Sequence, residues 1–150
     1  MRLAKAIKKA KRVYICGNGG SAANALHIAN DLISCGIKAQ ALTGDVATIT
    51  AIANDFDYAS VFSRQLETCG EAGDLLIALS GSGASPNILS ALGAAKKKGM
   101  DTFAILGEFN AICAAAGIAD ACIRWGKDMQ DAEEKQLYLG HKAMRWLRNS

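Results

Sequence analysis

Short, nearly continuous apolar runs alternate along the chain with longer segments whose apolar residues recur every three or four positions. RVYIC (12–16), KAQALT (38–43), DLLIALS (74–80), DTFAILG (101–107) and ADACIRWG (119–126) read as strands. DLLIALS is apolar almost throughout, the pattern of a parallel strand covered on both faces. The intervening segments have helical spacing. SAANALHIANDLISCG ends at Gly36, and DVATITAIAND leads into DYASVFSRQLETCG, a helix closed by Gly70. SPNILSALGAAKKKG carries Pro86 near its first turn and Gly99 past its end, both favoured places. NAICAAAG is a short helix, and DMQDAEEKQLYLGHKAMRWLRNS a long terminal one. The basic segment MRLAKAIKKAKR reads as an exposed first helix.

Strand–helix alternation predicts an α/β fold: an open five-stranded parallel sheet flanked by helices on both faces, a flavodoxin-like or Rossmann-like three-layer arrangement. Ligands of such sheets bind beyond the carboxyl ends of the strands. Three polar stretches fall at or near strand ends and are expected to cluster there: GNGGS (17–21), the pair Asn54-Asp55, and SGSGAS (80–85).

Composition narrows this picture without redirecting it. A chain of 150 residues with 51% apolar content suits one domain over 1–150 with a substantial core. The net charge of +3 is mild and much of it lies in the first twelve residues, too small and aromatic-poor a patch to argue for nucleic acid. No apolar stretch of signal-peptide type follows that basic start, and no run approaches membrane-spanning length. The five cysteines (16, 35, 69, 113, 122) form no C-x-x-C pair and read as buried free thiols, as a cytoplasmic protein keeps them.

The chemistry concentrates in two loops. GNGGSA contains the G-x-G-x-x-A spacing of a dinucleotide-binding turn. That reading wants an acid near the end of the second strand, and Asp45 falls a little late for it. SGSGAS places three hydroxyls (Ser80, Ser82, Ser85) and two glycines between a strand and a helix start, where exposed backbone N–H groups attract an anion. The plainer alternative is a serine-rich turn with Ser85 as N-cap before Pro86. One anionic head group in the serine loop, with the rest of a small ligand over GNGGS, accounts for both loops.

Taken together, GNGGSAANALHIANDL, IANDFDYASVFSRQLE and GDLLIALSGSGASPNILSALGAAKKKGM resemble a sugar isomerase (SIS) domain, and within that group the bacterial phosphoheptose isomerases. The resemblance implies isomerisation of sedoheptulose 7-phosphate through an enediol. Ser80, Gly81, Ser82 and Ser85 would bind the phosphate, and Asn18, Gly19, Gly20, Ser21, Asn54 and Asp55 would face the sugar. It also implies a zinc ion, or another divalent metal, held by His27, Asp31, Glu133 and His141. Asp31 stands where the family has glutamate, and Glu133 where it has glutamine; Glu133 would also meet the substrate. Asp31 would serve as general base and His141 as its acid–base partner.

Cys35 and Gly81 depart from the arginine and threonine of the family. About eleven residues precede the first strand, where the family has a longer helical segment. The resembled isomerases form tetramers, so a homo-oligomer, tetramer or dimer, is expected. A different class stays open: a non-catalytic SIS regulator that binds a protein partner such as a replication initiator.

Overall fold

The computed structural model describes residues 1–150 and contains seven α-helices, one 3-10 turn and five strands. In chain order these are α1 (Arg2–Lys9), β1 (Val13–Cys16), α2 (Gly20–Ser34), β2 (Ala39–Ala41), α3 (Val46–Asp55) and the 3-10 turn Tyr58–Ser60. There follow α4 (Ser63–Cys69), β3 (Leu75–Ser80), α5 (Pro86–Lys97), β4 (Asp101–Leu106), α6 (Ala114–Ile118), β5 (Ala121–Arg124) and α7 (Met129–Arg148).

All strand pairs are parallel, in the order β2-β1-β3-β4-β5. The predicted three-layer α/β sheet is therefore the observed one. Alternate strand residues feed two cores. Tyr14, Cys16, Leu76 and Ala78 pack with Phe62, Leu66, Ile88 and Leu92 on the face of α3–α6. Val13, Ile15, Leu75 and Ile77 pack with Ile7, Ile28, Leu32 and Leu139 on the face of α1, α2 and α7. Because β1 and β3 are neighbours, with Cys16 opposite Ala78, the loops leaving their carboxyl ends lie side by side. This is the topological switch point of the sheet, where a crevice forms.

Four expectations need correcting. The first helix is not free: Leu3, Ala4 and Ile7 form one stripe and are buried in the second core, with Lys5, Lys8 and Lys9 turned outward. Only Cys16 is a buried thiol, and burial pushes it up to about 12, which makes it inert. Cys69 and Cys122 are exposed, the latter because the edge strand β5 turns alternate residues outward. The segment after Asn54-Asp55 is not one helix, since the 3-10 turn interrupts it before α4. The short helix begins at Ala114 rather than Asn110, because the Asn110 side chain holds a turn by accepting from Ile112 N and donating to Ser82 O.

Candidate functional site

The crevice at the switch point brings together much of what the two loop motifs suggested. Asn18, Ser21, Ser80, Gly81, Ser82 and Ser85, with Leu79 and Met129, line a cavity of about 70 Å³. That is room for a few waters or one compact anion, and far too little for a whole sugar phosphate. Ser85 occupies the N-cap position of α5, yet its side chain makes no capping bond. Its hydroxyl is thus available to a ligand, together with the first N–H groups of α5. Ser80 Oγ instead accepts from Gly83 N at 3.0 Å and Ser82 Oγ from Ala84 N at 3.3 Å, bonds that shape the loop.

Gly19 takes the N-cap position of α2 with φ of 56°, a conformation that favours glycine. At Gly20 a side chain would collide with the Glu133 carboxylate. Glu133 therefore lies against the N-terminus of α2, where the helix dipole favours an anion. Asn54 and Asp55 close α3, exposed, with Asn54 Nδ2 donating to Asp55 Oδ1 at 3.0 Å. They do not line the cavity, and neither does the nearby Tyr58, which instead donates its hydroxyl to the cavity residue Asn18 at Oδ1, 3.1 Å away.

A second cluster lies on the other core face, where α2 packs on α7. His27 and Asp31 are one turn apart on α2, and His141 approaches from α7. The two Nε2 atoms are 2.9 Å apart. Asp31 Oδ2 is 3.4 Å from His27 Nε2 and 3.5 Å from His141 Nε2. That oxygen is buried and accepts no hydrogen bond. An orphaned carboxylate oxygen and two imidazole nitrogens converging on one point form a ready set of cation ligands. Zinc in tetrahedral coordination, with bonds of about 2.0–2.1 Å, spaces its ligand atoms roughly 3.3 Å apart, so these three atoms fit such an ion. The side chain of His27 is 48% exposed, which leaves the cluster open to a small molecule.

Glu133 does not join this cluster. Its eight-residue offset from His141 corresponds to about 12 Å along α7 and about 80° of rotation, so the two side chains serve different ends of α2. The register of α2 against α7 is set at Gly140, where a Cβ would lie 2.6 Å from Ile28 Cγ1. Only a residue without a side chain lets His141, one position on, meet His27, one position before Ile28.

Sequence reasoning missed Tyr58, Asn87 and Met129. Met129 opens α7 and its thioether fills the space a side chain at Gly81 would need, so this chain closes the cavity with a methionine. The start of α7 is fixed by Asp128, which accepts from Asp131 N at 2.8 Å, and by Asp131, which accepts from Lys127 N at 3.0 Å. The Lys127 N–H, aided by Lys135, holds the Asp131 carboxyl below the ordinary carboxylate range. A larger hollow of about 480 Å³ near Tyr14, Arg64 and Gln65 lies beside β2, away from both clusters.

The sequence pattern of the SIS domain matches residues 2–107. A phosphoheptose isomerase from Desulfovibrio desulfuricans is 44% identical over 114 residues, which cover 72% of this chain and 54% of that protein. One from Sulfurimonas denitrificans is 42% identical over 138 residues, covering 87% of this chain and 70% of that one. The structure of a phosphoheptose isomerase from Neisseria gonorrhoeae superposes with a TM-score of 0.90 at 30% identity, covering 99% of this chain and 82% of that one. The chain thus spans between about half and four fifths of the relatives it matches.

Proposed function

Because the chain belongs to the SIS domain family and, within it, to the phosphoheptose isomerases, we propose that it interconverts sedoheptulose 7-phosphate and an aldoheptose 7-phosphate. The single observation that carries this reading is the buried, unbonded Asp31 Oδ2 facing the two histidine nitrogens. A purely structural carboxylate is hydrogen-bonded when its oxygens are enclosed.

The phosphate rests in the serine cavity, held by the free Ser85 hydroxyl, Ser21, Ser82 and the N-terminus of α5. The sugar then runs along the first turns of α2, past Gly19 and Gly20. From Gly20 to His27 is about 10 Å along the helix axis. An extended chain of six C–C bonds of about 1.5 Å each, plus the ester, has a comparable reach. The phosphate and the reacting carbons of a heptose thus match the two clusters. Asp31 takes the proton from the carbon next to the carbonyl and returns it to the neighbouring carbon. His141 shuttles the proton between the two oxygens of the enediol. A divalent ion such as zinc would be held by His27 Nε2, Asp31 Oδ2 and His141 Nε2 and would supply Lewis-acid stabilisation of the oxygen that gains charge, leaving Asp31 Oδ1 and His141 Nδ1 for the proton transfers.

The joint presence of Asp31 and His141 in one cluster favours catalysis over a non-catalytic regulator, which has no need of such a cluster. No helix is long and apolar enough to cross a membrane, and five free thiols suit a reducing cytoplasm. The large apolar residues Val46, Phe56 and Tyr58 are each more than half exposed, and α3 has no buried residue, which supports a homo-oligomer. Incubation of the protein with and without zinc, with C5 to C8 ketose phosphates, tests the reading. Aldose formation fastest with the C7 sugar is the expected result; turnover of none of them refutes it.

A further inference from the structure

At the wall of the serine cavity Asn18 is paired with a side chain that the isomerase reading does not use, Asn87. Asn87 stands two residues beyond Ser85 in the first turn of α5 and is only 2% exposed. Its carboxamide pairs reciprocally with that of Asn18 in the loop after β1. Asn18 Nδ2 donates to Asn87 Oδ1 at 2.9 Å, and Asn87 Nδ2 donates to Asn18 Oδ1 at 2.7 Å. The Tyr58 hydroxyl adds a third bond to Asn18 Oδ1 at 3.1 Å.

A carboxamide has two oxygen lone pairs and two N–H groups. Both lone pairs of Asn18 Oδ1 and one N–H are thereby committed, and a single N–H remains. Asn18 itself is half-buried and lines the serine cavity. It can therefore meet a ligand there only as a donor, which suits an oxyanion and rejects a hydroxyl presenting its hydrogen. An unpaired Asn18 would be free to rotate its amide and offer oxygen instead, which an anion repels.

We propose that Asn87, assisted by Tyr58, is a positioning residue that locks the Asn18 carboxamide with its last N–H aimed at the phosphoryl end of the substrate. The inference rests on the reading of the serine loop as the phosphate cradle. It assigns Asn87 no contact with the substrate. Its contribution passes through Asn18 and appears in binding rather than in the proton transfer some turns away.

A double-mutant cycle on inorganic phosphate affinity, measured by calorimetry, tests this, with kcat and KM for the sugar phosphate measured alongside. Asn87→Leu is expected to weaken phosphate binding and raise KM about tenfold, the scale of one hydrogen bond to a charged group, with kcat nearly unchanged. Added to Asn18→Ala, it should cost nothing further. Tyr58→Phe, which removes one hydroxyl from a residue outside the buried core, should weaken binding about threefold, and only when Asn18 is present. A merely structural Asn87 would weaken binding equally in both backgrounds, and that result overturns the proposal. If Asn87→Leu does not fold, Tyr58→Phe binding phosphate as tightly as the parent overturns it instead. Phosphate binding with the predicted coupling, but without sugar turnover, sinks the isomerase reading and leaves this one standing. A parent protein that binds no phosphate sinks this proposal, while the isomerase reading stands or falls on turnover.

Discussion

The serine crevice and the His27–Asp31–His141 cluster are built by opposite means. The crevice is a product of topology: two loops leave adjacent strands at the point where the order reverses, and backbone N–H groups with short hydroxyls do the rest. The cluster is a product of side-chain register. Residues far apart in sequence meet only because α2 and α7 approach closely at Ile28 and Gly140. A site made by topology tolerates changes elsewhere in the helices, whereas one made by register fails when two helices shift by a fraction of an ångström.

The difference predicts separable lesions. The largest effect belongs to Asp31→Asn, which keeps the size of the side chain but removes the base; turnover should fall about 100- to 10,000-fold with phosphate affinity intact, as kinetics and calorimetry would show. Next is Gly140→Ala, which touches neither ligand. Its methyl group pushes on Ile28, so zinc affinity should fall about 10- to 100-fold, the range typical when a group orienting a metal ligand is lost. Loss of phosphate affinity to the same degree would erase the distinction between the two regions.

The converse lesion is Gly81→Thr, which forces Met129 off the serine loop. Overpacking of this kind costs about 1–3 kcal/mol, so phosphate binding should weaken about tenfold while zinc binding stays as it was. Adding Met129→Ala should restore it, because the space the threonine needs is then empty.

The smallest functional effect is expected far from both clusters, at Asp120. Its Oδ2 accepts from Thr102 N at 2.9 Å and Thr102 Oγ at 2.6 Å, and its Oδ1 pairs with Lys96. Asp120→Ala leaves the enclosed Thr102 N–H without a partner and should cost about 1–3 kcal/mol of stability, with both affinities unchanged. Lys96 first, then Thr102, holds the Asp120 carboxyl below the ordinary carboxylate range. A lowered folded value stabilises the fold above the unfolded pKa of about 4 and loses that contribution as pH falls through the folded one. The pair is partly exposed and screened, so the increment is small. Thermal unfolding of the parent should thus be more acid-sensitive than that of Asp120→Ala.

The same contrast explains what was legible in the sequence. The sheet and the serine crevice announce themselves locally, since DLLIALS followed by SGSGAS and a Pro86 helix start is a strand, an anion loop and a helix in consecutive residues. The triad leaves no local trace beyond the one-turn spacing of His27 and Asp31, and His141 joins it only through resemblance. Glu133 enters in the same way, but the structure sets its carboxylate against Gly20, about 12 Å along α7 from His141. Asn87 had a readable signal: it falls on the buried stripe that continues through Ile88, Ala91 and Ala95, where a polar residue needs a partner. Tyr58 had none, because its reach to Asn18 depends on the 3-10 turn that breaks the expected helix.

Proton exchange addresses the proposed chemistry most directly. Sedoheptulose 7-phosphate is incubated with the zinc-supplemented protein in deuterated water, and the C1 proton signal is followed by NMR. The parent should wash that proton out, through repeated enediol formation, and Asp31→Asn should leave it in place. Retention of the C1 proton by the parent, or equal exchange by Asp31→Asn, would contradict the assignment of Asp31 as the base.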